Sequence, residues 1–166
     1  MSSDRRIRVT TLVHILKDGC VLMLHRVKKK NDLNHDKWVG VGGKAEEGES
    51  PEECALREMR EETGLTAETL LFRGILTFIS DEYDQEIIFL YDVPAFSGTV
   101  RDCDEGTLEW VPRERLCGLP IWEGDKIMFR YLEERESFFS LKLRYEGDTL
   151  AEAWETYPER KNLLEP

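Results

Sequence analysis

Hydrophobic and polar residues follow one another along the chain in patterns that predict a mixture of strands and helices. Runs rich in β-branched and aromatic residues, some alternating with period two, are typical of strands. They occur at residues 7–16, 20–25, 70–80, 85–93, 108–111 and 138–145. Residues 51–63 and 125–135 instead have helical signals. This mixture predicts an α+β fold with a mixed β-sheet between helices.

Turn signals separate these segments and define the expected connections. Residues 17–19 read Lys-Asp-Gly, so the first two strands are expected to form a hairpin. The acidic turn 81–84 joins the next strand pair. Residues 28–37 and 94–106 are expected to be loops, and residues 38–43 form a short apolar segment broken by three glycines.

The length of the chain favours one domain. It has 166 residues, and domains of roughly 100–200 residues are common. We therefore expect a single domain over residues 1–166, with its core at about 7–150. Residues 149–166 are charged and weakly patterned, and we expect 151–166 to be a C-terminal extension.

Charge and composition argue against several classes of protein. The chain has 34 acidic and 23 basic residues, and this net charge of −11 argues against a protein that binds nucleic-acid polymers. No apolar run approaches the roughly 20 residues of a membrane span, and residues 1–8 lack the apolar core of a signal peptide. The four cysteines have no zinc-ligand spacing, so we expect buried or half-buried free thiols in a cytoplasmic protein.

The predicted helix at 51–63 has defined signals at both ends. Ser50 is a good N-cap, and Pro51 suits the first helical position. Glu53 completes a capping box with Ser50. Gly64 is a C-terminal stop signal, so the helix is expected to end at Thr63.

Three glutamates are expected on one face of this helix. Glu58, Glu61 and Glu62 lie at positions i, i+3 and i+4. Like charges at this spacing, near the C-terminal end of the helix dipole, destabilise a helix. A hard divalent cation such as Mg²⁺ would compensate, and Arg57 can hold one carboxylate by its i, i+4 spacing to Glu61. The other interpretation is a solvated acidic face.

The spacing around these glutamates resembles the Nudix box, GX5EX7REUXEEXGU. Gly43 is followed by five residues and Glu49, then by seven residues and the segment 57–65, REMREETGL, so every fixed position matches. The resemblance to Nudix hydrolases implies an α/β/α sandwich with a loop–helix–loop motif. It also implies bound Mg²⁺ or Mn²⁺ and hydrolysis of a nucleoside diphosphate linked to another moiety.

The same resemblance implies roles for the residues of the box. The implied metal ligands are the Gly43 carbonyl and the carboxylates of Glu58, Glu61 and Glu62. The three glutamates and Arg57 form the implied catalytic set, with Glu58 as the expected general base. Arg57 and Glu49 are implied to brace the loop against the helix.

Segments outside the box resemble the MutT-like branch, the 8-oxo-dGTP diphosphatases. These segments are residues 38–44, 104–105, 119–125 and 138–148. The resemblance implies that Trp122 stacks on the purine and that Asp125 forms a hydrogen bond with its edge. It further implies a metal-proximal Glu105 and substrate contacts from Arg26, Trp38 and Lys44.

Two departures from the animal members of this branch leave the selectivity for an oxidised purine open. This chain has Gly124-Asp125 where those proteins have paired aspartates, and Val39 where they have asparagine. Structural roles also stay open for Trp122 as a core anchor, Asp125 as an N-cap, Glu105 as a solvated loop acid, and His14 and His25 as strand residues.

The expected function is that of a metal-dependent nucleoside triphosphate pyrophosphohydrolase acting on 8-oxo-dGTP or another oxidised purine nucleotide. Other Nudix substrates remain open: ADP-ribose, a dinucleoside polyphosphate or an unmodified nucleoside triphosphate. A non-catalytic Nudix module that binds a nucleotide or a partner is a further alternative. The expected partner is a small nucleotide, with no nucleic-acid polymer and no membrane.

Overall fold

The structure is a computed structural model that describes residues 4–28 and 34–164. The strands are β1 (Ile7–Lys17), β2 (Cys20–His25), β3 (Trp38–Val39), β4 (Val41–Lys44), β5 (Thr66–Ala67), β6 (Leu71–Ser80), β7 (Gln85–Val93), β8 (Phe96–Ser97), β9 (Thr107–Pro112), β10 (Phe139–Glu146), β11 (Thr149–Tyr157) and β12 (Lys161–Asn162). The helices are α1 (Pro51–Thr63), α2 (Glu123–Glu134) and the 3₁₀ helix Arg113–Gly118.

The main sheet is mixed, as the sequence predicts. Its strand order is β12-β11-β10-β6-β7-β1, and β4 pairs with β1. The β10–β6 and β7–β1 pairs are parallel, whereas β6–β7, β10–β11 and β1–β4 are antiparallel. The predicted strand pairs are confirmed, and the α+β class with them.

The predicted β1–β2 hairpin forms, but its strands diverge. The two strands pair next to the turn, at Leu16–Val21 and Lys17–Cys20. Further along, β2 pairs with β9 and with β3, while β1 pairs with β4 and β7. The β9–β2–β3 ribbon therefore leaves the main sheet, and Arg26 and Glu105 beside it, with Val39 of β3, line the cavity described below.

The main sheet lies between the two α-helices. On β1 and β7, Val13 and Tyr91 belong to the core cluster that contains Met59 of α1. Leu90 points to the other face, since successive strand residues alternate, and it belongs to the cluster that contains Met128 of α2. Burial against the two faces explains why both helices pack as predicted.

Helix α1 has the predicted bounds because its end signals operate locally. The Glu53 amide donates to the Ser50 hydroxyl at 3.1 Å, and the Ser50 amide donates to the Glu53 carboxylate at 3.2 Å. Gly64 adopts the left-handed conformation with φ 80°, and its amide donates to the Arg60 carbonyl. The Arg101 guanidinium also donates to two carbonyls of the last turn.

Helix α2 begins two residues earlier than predicted. Trp122 occupies the N-cap position without a side-chain cap, and Asp125 is the third residue of the helix. The interpretation of Asp125 as an N-cap is therefore wrong. In the predicted loop 94–106, β8 pairs with β5, because extended backbone from both connections meets there.

The weakly patterned C-terminal segment forms a strand that the sequence analysis did not predict. Strand β11 pairs with β10 along the edge of the main sheet, so residue 150 lies inside a strand. Its pattern is obscured because Glu155 is buried, where it accepts hydrogen bonds from Tyr131 and Arg135 at 2.7 Å. Backbone pairing with β10 therefore determines that this segment is a strand.

The four cysteines are free, as predicted. Cys54 and Cys103 are buried and Cys20 is half-buried, but Cys117 is exposed. Of the predicted loop 28–37, residues 29–33 lie outside the described part of the chain. Among the described helices, none is long and apolar enough to cross a membrane.

Candidate active site

Two glycines of β4 bring the backbone close to helix α1. A Cβ atom on Gly43 would lie 2.5 Å from the Glu58 carboxylate, and one on Gly42 would lie 2.0 Å from the Thr11 carbonyl oxygen. A larger residue at either position would force the backbone away. Gly43 therefore allows β4 to approach the acidic face of α1, and Gly42 allows β4 to approach β1.

Arg57 joins the loop before α1 to the helix. Its Nε donates to Glu49 Oε2 at 2.6 Å and its Nη2 to Glu49 Oε1 at 3.0 Å. Nη2 also donates to the Lys44 carbonyl at 3.1 Å. The guanidinium holds the pKa of Glu49 below its usual value. This two-point contact requires the planar fork of an arginine.

Glu58 and Glu62 face a common cavity from one side of α1. Glu62 Oε2 accepts a hydrogen bond from the Gly42 amide at 3.0 Å, and Glu58 Oε1 accepts one from Arg57 Nη1 at 2.9 Å. Burial raises the pKa of Glu62 to about 8, and the charges of Glu58 and Glu105 contribute. Burial also raises the pKa of Glu58. Two half-buried carboxylates that face one cavity favour a bound cation.

Glu61 does not reach this cavity. Its side chain is 60% exposed, and it accepts a hydrogen bond from Arg57 Nη1 at 3.1 Å. The helix therefore presents Glu58 and Glu62, spaced i, i+4, to the cavity and leaves Glu61 toward solvent. A metal-binding role for Glu61 stays a prediction without geometric support.

Arg26 and Glu105 form the opposite side of the acidic end. Arg26 directly follows β2, and Glu105 lies just before β9. Arg26 Nη1 donates to Glu105 Oε2 at 2.7 Å. Both line the cavity, and the Glu105 charge raises the pKa values of Glu58 and Glu62. Glu105 is thus part of the acidic cluster and not a solvated loop acid.

The cavity has a volume of about 690 Å³ and extends from this acidic cluster to the start of α2. Its floor is the α2-facing side of the main sheet, formed by Leu12, Leu76, Phe78, Ile88, Leu143 and Tyr145. This size is in the range of small-molecule sites, which combine apolar walls with a few placed polar groups.

Trp122 and Asp125 lie at the far end of the same cavity. The Trp122 indole N–H donates to Asn34 Oδ1 at 2.7 Å, and Lys37 Nζ lies 4.5 Å from the ring centroid. The Tyr145 ring approaches Trp122 in an edge-on arrangement at 5.6 Å. The Asp125 carboxylate forms no hydrogen bond with the described residues, and burial raises its pKa to about 7 against the opposing charge of Lys37.

The family of this chain follows from a comparison with known sequences. The family model of the NUDIX domain matches residues 5–134. The chain belongs to the Nudix hydrolase family. The resemblance carried by the Nudix box is therefore confirmed, and the loop–helix–loop around α1 is the Nudix motif.

The relatives found by sequence and by structure agree with this family. The chain is 29% identical over 132 residues to the oxidized purine nucleoside triphosphate hydrolase of Danio rerio, which covers 79% of this chain and 83% of the relative. It is 32% identical over 123 residues to the uncharacterized Nudix hydrolase YvcI of Bacillus subtilis, covering 71% and 73%. The crystal structure of a MutT protein from Bacillus halodurans aligns with a TM-score of 0.77 and 27% identity, covering 96% and 99%. The Nudix-type fold is thereby confirmed.

The acidic end of the Nudix cavity offers carboxylate and carbonyl oxygens, which are the ligand atoms that a hard divalent cation prefers. Glu58, Glu62 and the backbone of Gly43 line it, and the missing Cβ of Gly43 leaves room against the Glu58 carboxylate. Among the described residues, no three acidic, histidine or cysteine side chains converge into a chelating cluster. Arg57 donates to Oε1 of Glu58, so the carboxylate is oriented before a cation binds and its second oxygen stays available to the cation.

The remaining predicted site residues divide into two groups. Lys44 and Val39 line the Nudix cavity. Trp38 does not, because its ring is buried and stacks on His25 at a centroid distance of 4.5 Å. A substrate-binding role for Trp38 stays a prediction, and the geometry gives it a packing role. His14 is buried against Asp92 at 3.0 Å, consistent with the structural interpretation.

The sequence pattern did not indicate the polar side chains that line the cavity near the β6–β7 turn. These are Arg8, Ser80, Tyr83, Asp84 and Glu86. Arg8 Nε donates to Asp84 Oδ2 at 2.6 Å, which links β1 to the β6–β7 turn. One signal was available: Glu86 interrupts the apolar face that Ile88 and Leu90 share on β7.

Proposed function

We propose that this Nudix hydrolase converts a nucleoside triphosphate to its monophosphate and pyrophosphate, and that oxidised purine nucleotides such as 8-oxo-dGTP are preferred. One observation carries the proposal: a single cavity joins the acidic face of α1 to an aromatic and acidic end at Trp122 and Asp125. A polyphosphate and a purine base can then be held in one site. The relatives that act on oxidised purine nucleoside triphosphates support this substrate class.

The acidic end supplies the hydrolytic chemistry in this proposal. Glu58, Glu62, the Gly43 carbonyl and Glu105 would hold Mg²⁺ or Mn²⁺. When bound, such a cation neutralises phosphate charge and lowers the pKa of water. Glu58 is the proposed general base that accepts a proton from the attacking water, because its carboxylate lines the cavity and is oriented by Arg57.

Positive charge for the phosphates comes from two side chains. Arg26 lines the cavity beside Glu105, and Lys44 lines it next to the start of the Nudix motif. Phosphoryl transfer depends mainly on positioning and charge neutralisation, so these cations act without covalent chemistry. The net charge of −11 makes them important, since most of the surface repels a polyphosphate.

The aromatic end is proposed to bind the base. Trp122 offers a ring for stacking. Asp125 offers a carboxylate that forms no hydrogen bond with the described residues. Oxidation at C8 converts N7 of guanine from an acceptor to a donor, which a carboxylate can read. Val39 and Gly124 replace two polar residues of the animal enzymes, so we expect a moderate preference for the oxidised base.

A hydrolysis screen with Mg²⁺ and chromatographic identification of the products tests the proposal. We expect monophosphate and pyrophosphate, and a higher kcat/KM for 8-oxo-dGTP than for dGTP. A higher kcat/KM for ADP-ribose or a dinucleoside polyphosphate would contradict the substrate assignment. Hydrolysis of none of them, with retained nucleotide binding, would favour a binding module. The proposed partner is a free cytoplasmic nucleotide, and neither a nucleic-acid polymer nor a membrane.

A further inference from the structure

Glu86 is an acidic residue on the apolar face that β7 presents to the cavity. On β7 it shares a face with Ile88 and Leu90, and Leu90 is fully buried. Its pairing partner on β6 is Phe78, which lines the same cavity. The alternation of the strand therefore predicts an apolar residue at position 86. A carboxylate there costs stability unless something compensates for it.

The protein itself does not provide that compensation by contact. The Glu86 carboxylate forms no hydrogen bond or ion pair with any of residues 4–28 and 34–164. Burial raises its pKa, while the charges of Lys44 and Arg8 act in the opposite direction from further away. Arg8 is bound to Asp84. Glu86 thus keeps its full capacity to accept hydrogen bonds in the cavity.

A second carboxylate in the same condition lies across the cavity floor. Residues Leu143, Phe78 and Glu86 form one row across the adjacent strands β10, β6 and β7. Asp125 is on the β10 side of this row, since the neighbouring Gly124 packs against Leu143. Two strand spacings make the row about 10 Å wide. A purine with a hydrogen bond of about 2.8 Å at each edge has a comparable width, so it can lie over this row between the β10 side and the β7 side of the floor.

We propose that Glu86 is a specificity-determining residue that accepts a hydrogen bond from an N–H group of the nucleobase, opposite Asp125. The inference rests on the proposed function, because it concerns the base in the same cavity. With Asp125 as the second acceptor, Glu86 selects bases that donate hydrogen bonds from both edges. Guanine donates from N1 and its amino group, and 8-oxoguanine also donates from N7.

Steady-state kinetics of Glu86→Gln and Glu86→Leu test the proposal. Gln keeps the size of the side chain, and Leu restores the apolar face of β7, so the Leu variant guards against loss of folding. The two substrates are 8-oxo-dGTP and the triphosphate of unsubstituted purine deoxyriboside, whose base has no N–H donor. We expect kcat/KM for 8-oxo-dGTP to fall about tenfold through KM, with less than a twofold change for the unsubstituted purine.

The control is Glu109→Gln, an exposed acid on β9 that should leave both values unchanged. An equal change for both substrates in the Glu86 variants would overturn the proposal, because Glu86 would then act only through the charges of Lys44 and Arg8. No change for either substrate would overturn it as well.

Binding of products separates this inference from the proposed function. We expect 8-oxo-dGMP without metal to raise the melting temperature of the wild type more than that of Glu86→Leu, with no such difference for purine deoxyriboside monophosphate. If the wild type hydrolyses no triphosphate, the proposed function fails, and this melting difference alone decides the role of Glu86. Equal shifts in wild type and variant would overturn it.

Discussion

The two ends of the cavity differ in how their charged groups are satisfied. At the acidic end, Glu49 and Glu58 are bound by Arg57, and Glu62 accepts the Gly42 amide. The carboxylates of Asp125 at the base end and of Glu86 along the floor form no hydrogen bond with the described residues. The first end is organised before a ligand arrives, whereas the second is completed by the ligand. Variants at the acidic end should therefore reduce turnover for every nucleotide, and variants at the base end should change the choice among nucleotides.

The largest effect is expected from Glu62→Gln. It removes a half-buried carboxylate that faces the cavity, so kcat with Mg²⁺ should fall by at least about 100-fold for all nucleotides. The rise in melting temperature on adding Mg²⁺ should also be lost, since a ligand that binds only the folded state stabilises it. Kinetics and thermal melting with and without Mg²⁺ measure both.

Glu61→Gln is the matched control for that variant. Its side chain is exposed and bound to Arg57, so its kcat should stay within about tenfold of the wild type. Equal losses in the two variants would contradict the distinction between the cavity-facing and solvent-facing glutamates.

A smaller loss of turnover is expected for Arg57→Lys. Lysine keeps the charge but cannot form the two-point contact with Glu49 or also reach the Lys44 carbonyl. We expect kcat to fall roughly 10- to 100-fold, with the 8-oxo-dGTP to dGTP preference unchanged. Full activity of the lysine variant would mean that Arg57 acts through its charge alone.

Selectivity is expected to change in Asp125→Ala. Without this carboxylate, the ratio of kcat/KM for 8-oxo-dGTP over dGTP should fall several-fold, while dGTP hydrolysis slows less. Trp122→Ala should instead raise KM for both nucleotides, because stacking does not depend on the oxidation of C8. A ratio that survives Asp125→Ala would remove this residue from base recognition.

The smallest effect concerns stability against pH. The pKa of Asp125 is about 7 in the folded protein and 3.8 ordinarily, so the unfolded chain loses its proton at lower pH than the folded one. The folded state is thus penalised progressively as the pH rises from about 4 to 7. Asp125→Asn removes this penalty, and its melting temperature should exceed that of the wild type by several degrees at pH 8. At pH 4 the two proteins should melt alike, and a constant difference at both pH values would refute the assignment.

Local signals in the sequence determined the Nudix motif. The bounds of α1 follow from Ser50, Glu53 and Gly64, whose hydrogen bonds reach no more than four residues along the chain. The resemblance carried by the box implied the pairing of Arg57 with Glu49, and the structure has this contact at the start of the motif. The alternation of apolar and polar residues predicted most strands of the main sheet, because this signal is also local in the chain.

Only the tertiary structure decided which side chains share the cavity. Arg26 and Glu105 meet because β2 leaves β1 to pair with β9, and Glu86 faces Phe78 through the β6–β7 ladder. Strand β11 likewise depends on its pairing with β10. Arg26 and Glu105 are 79 residues apart in the chain, so no periodicity or cap along the chain encodes their contact. Such contacts form when the sheet and α2 bury their apolar faces against each other, because that packing brings separate parts of the chain together.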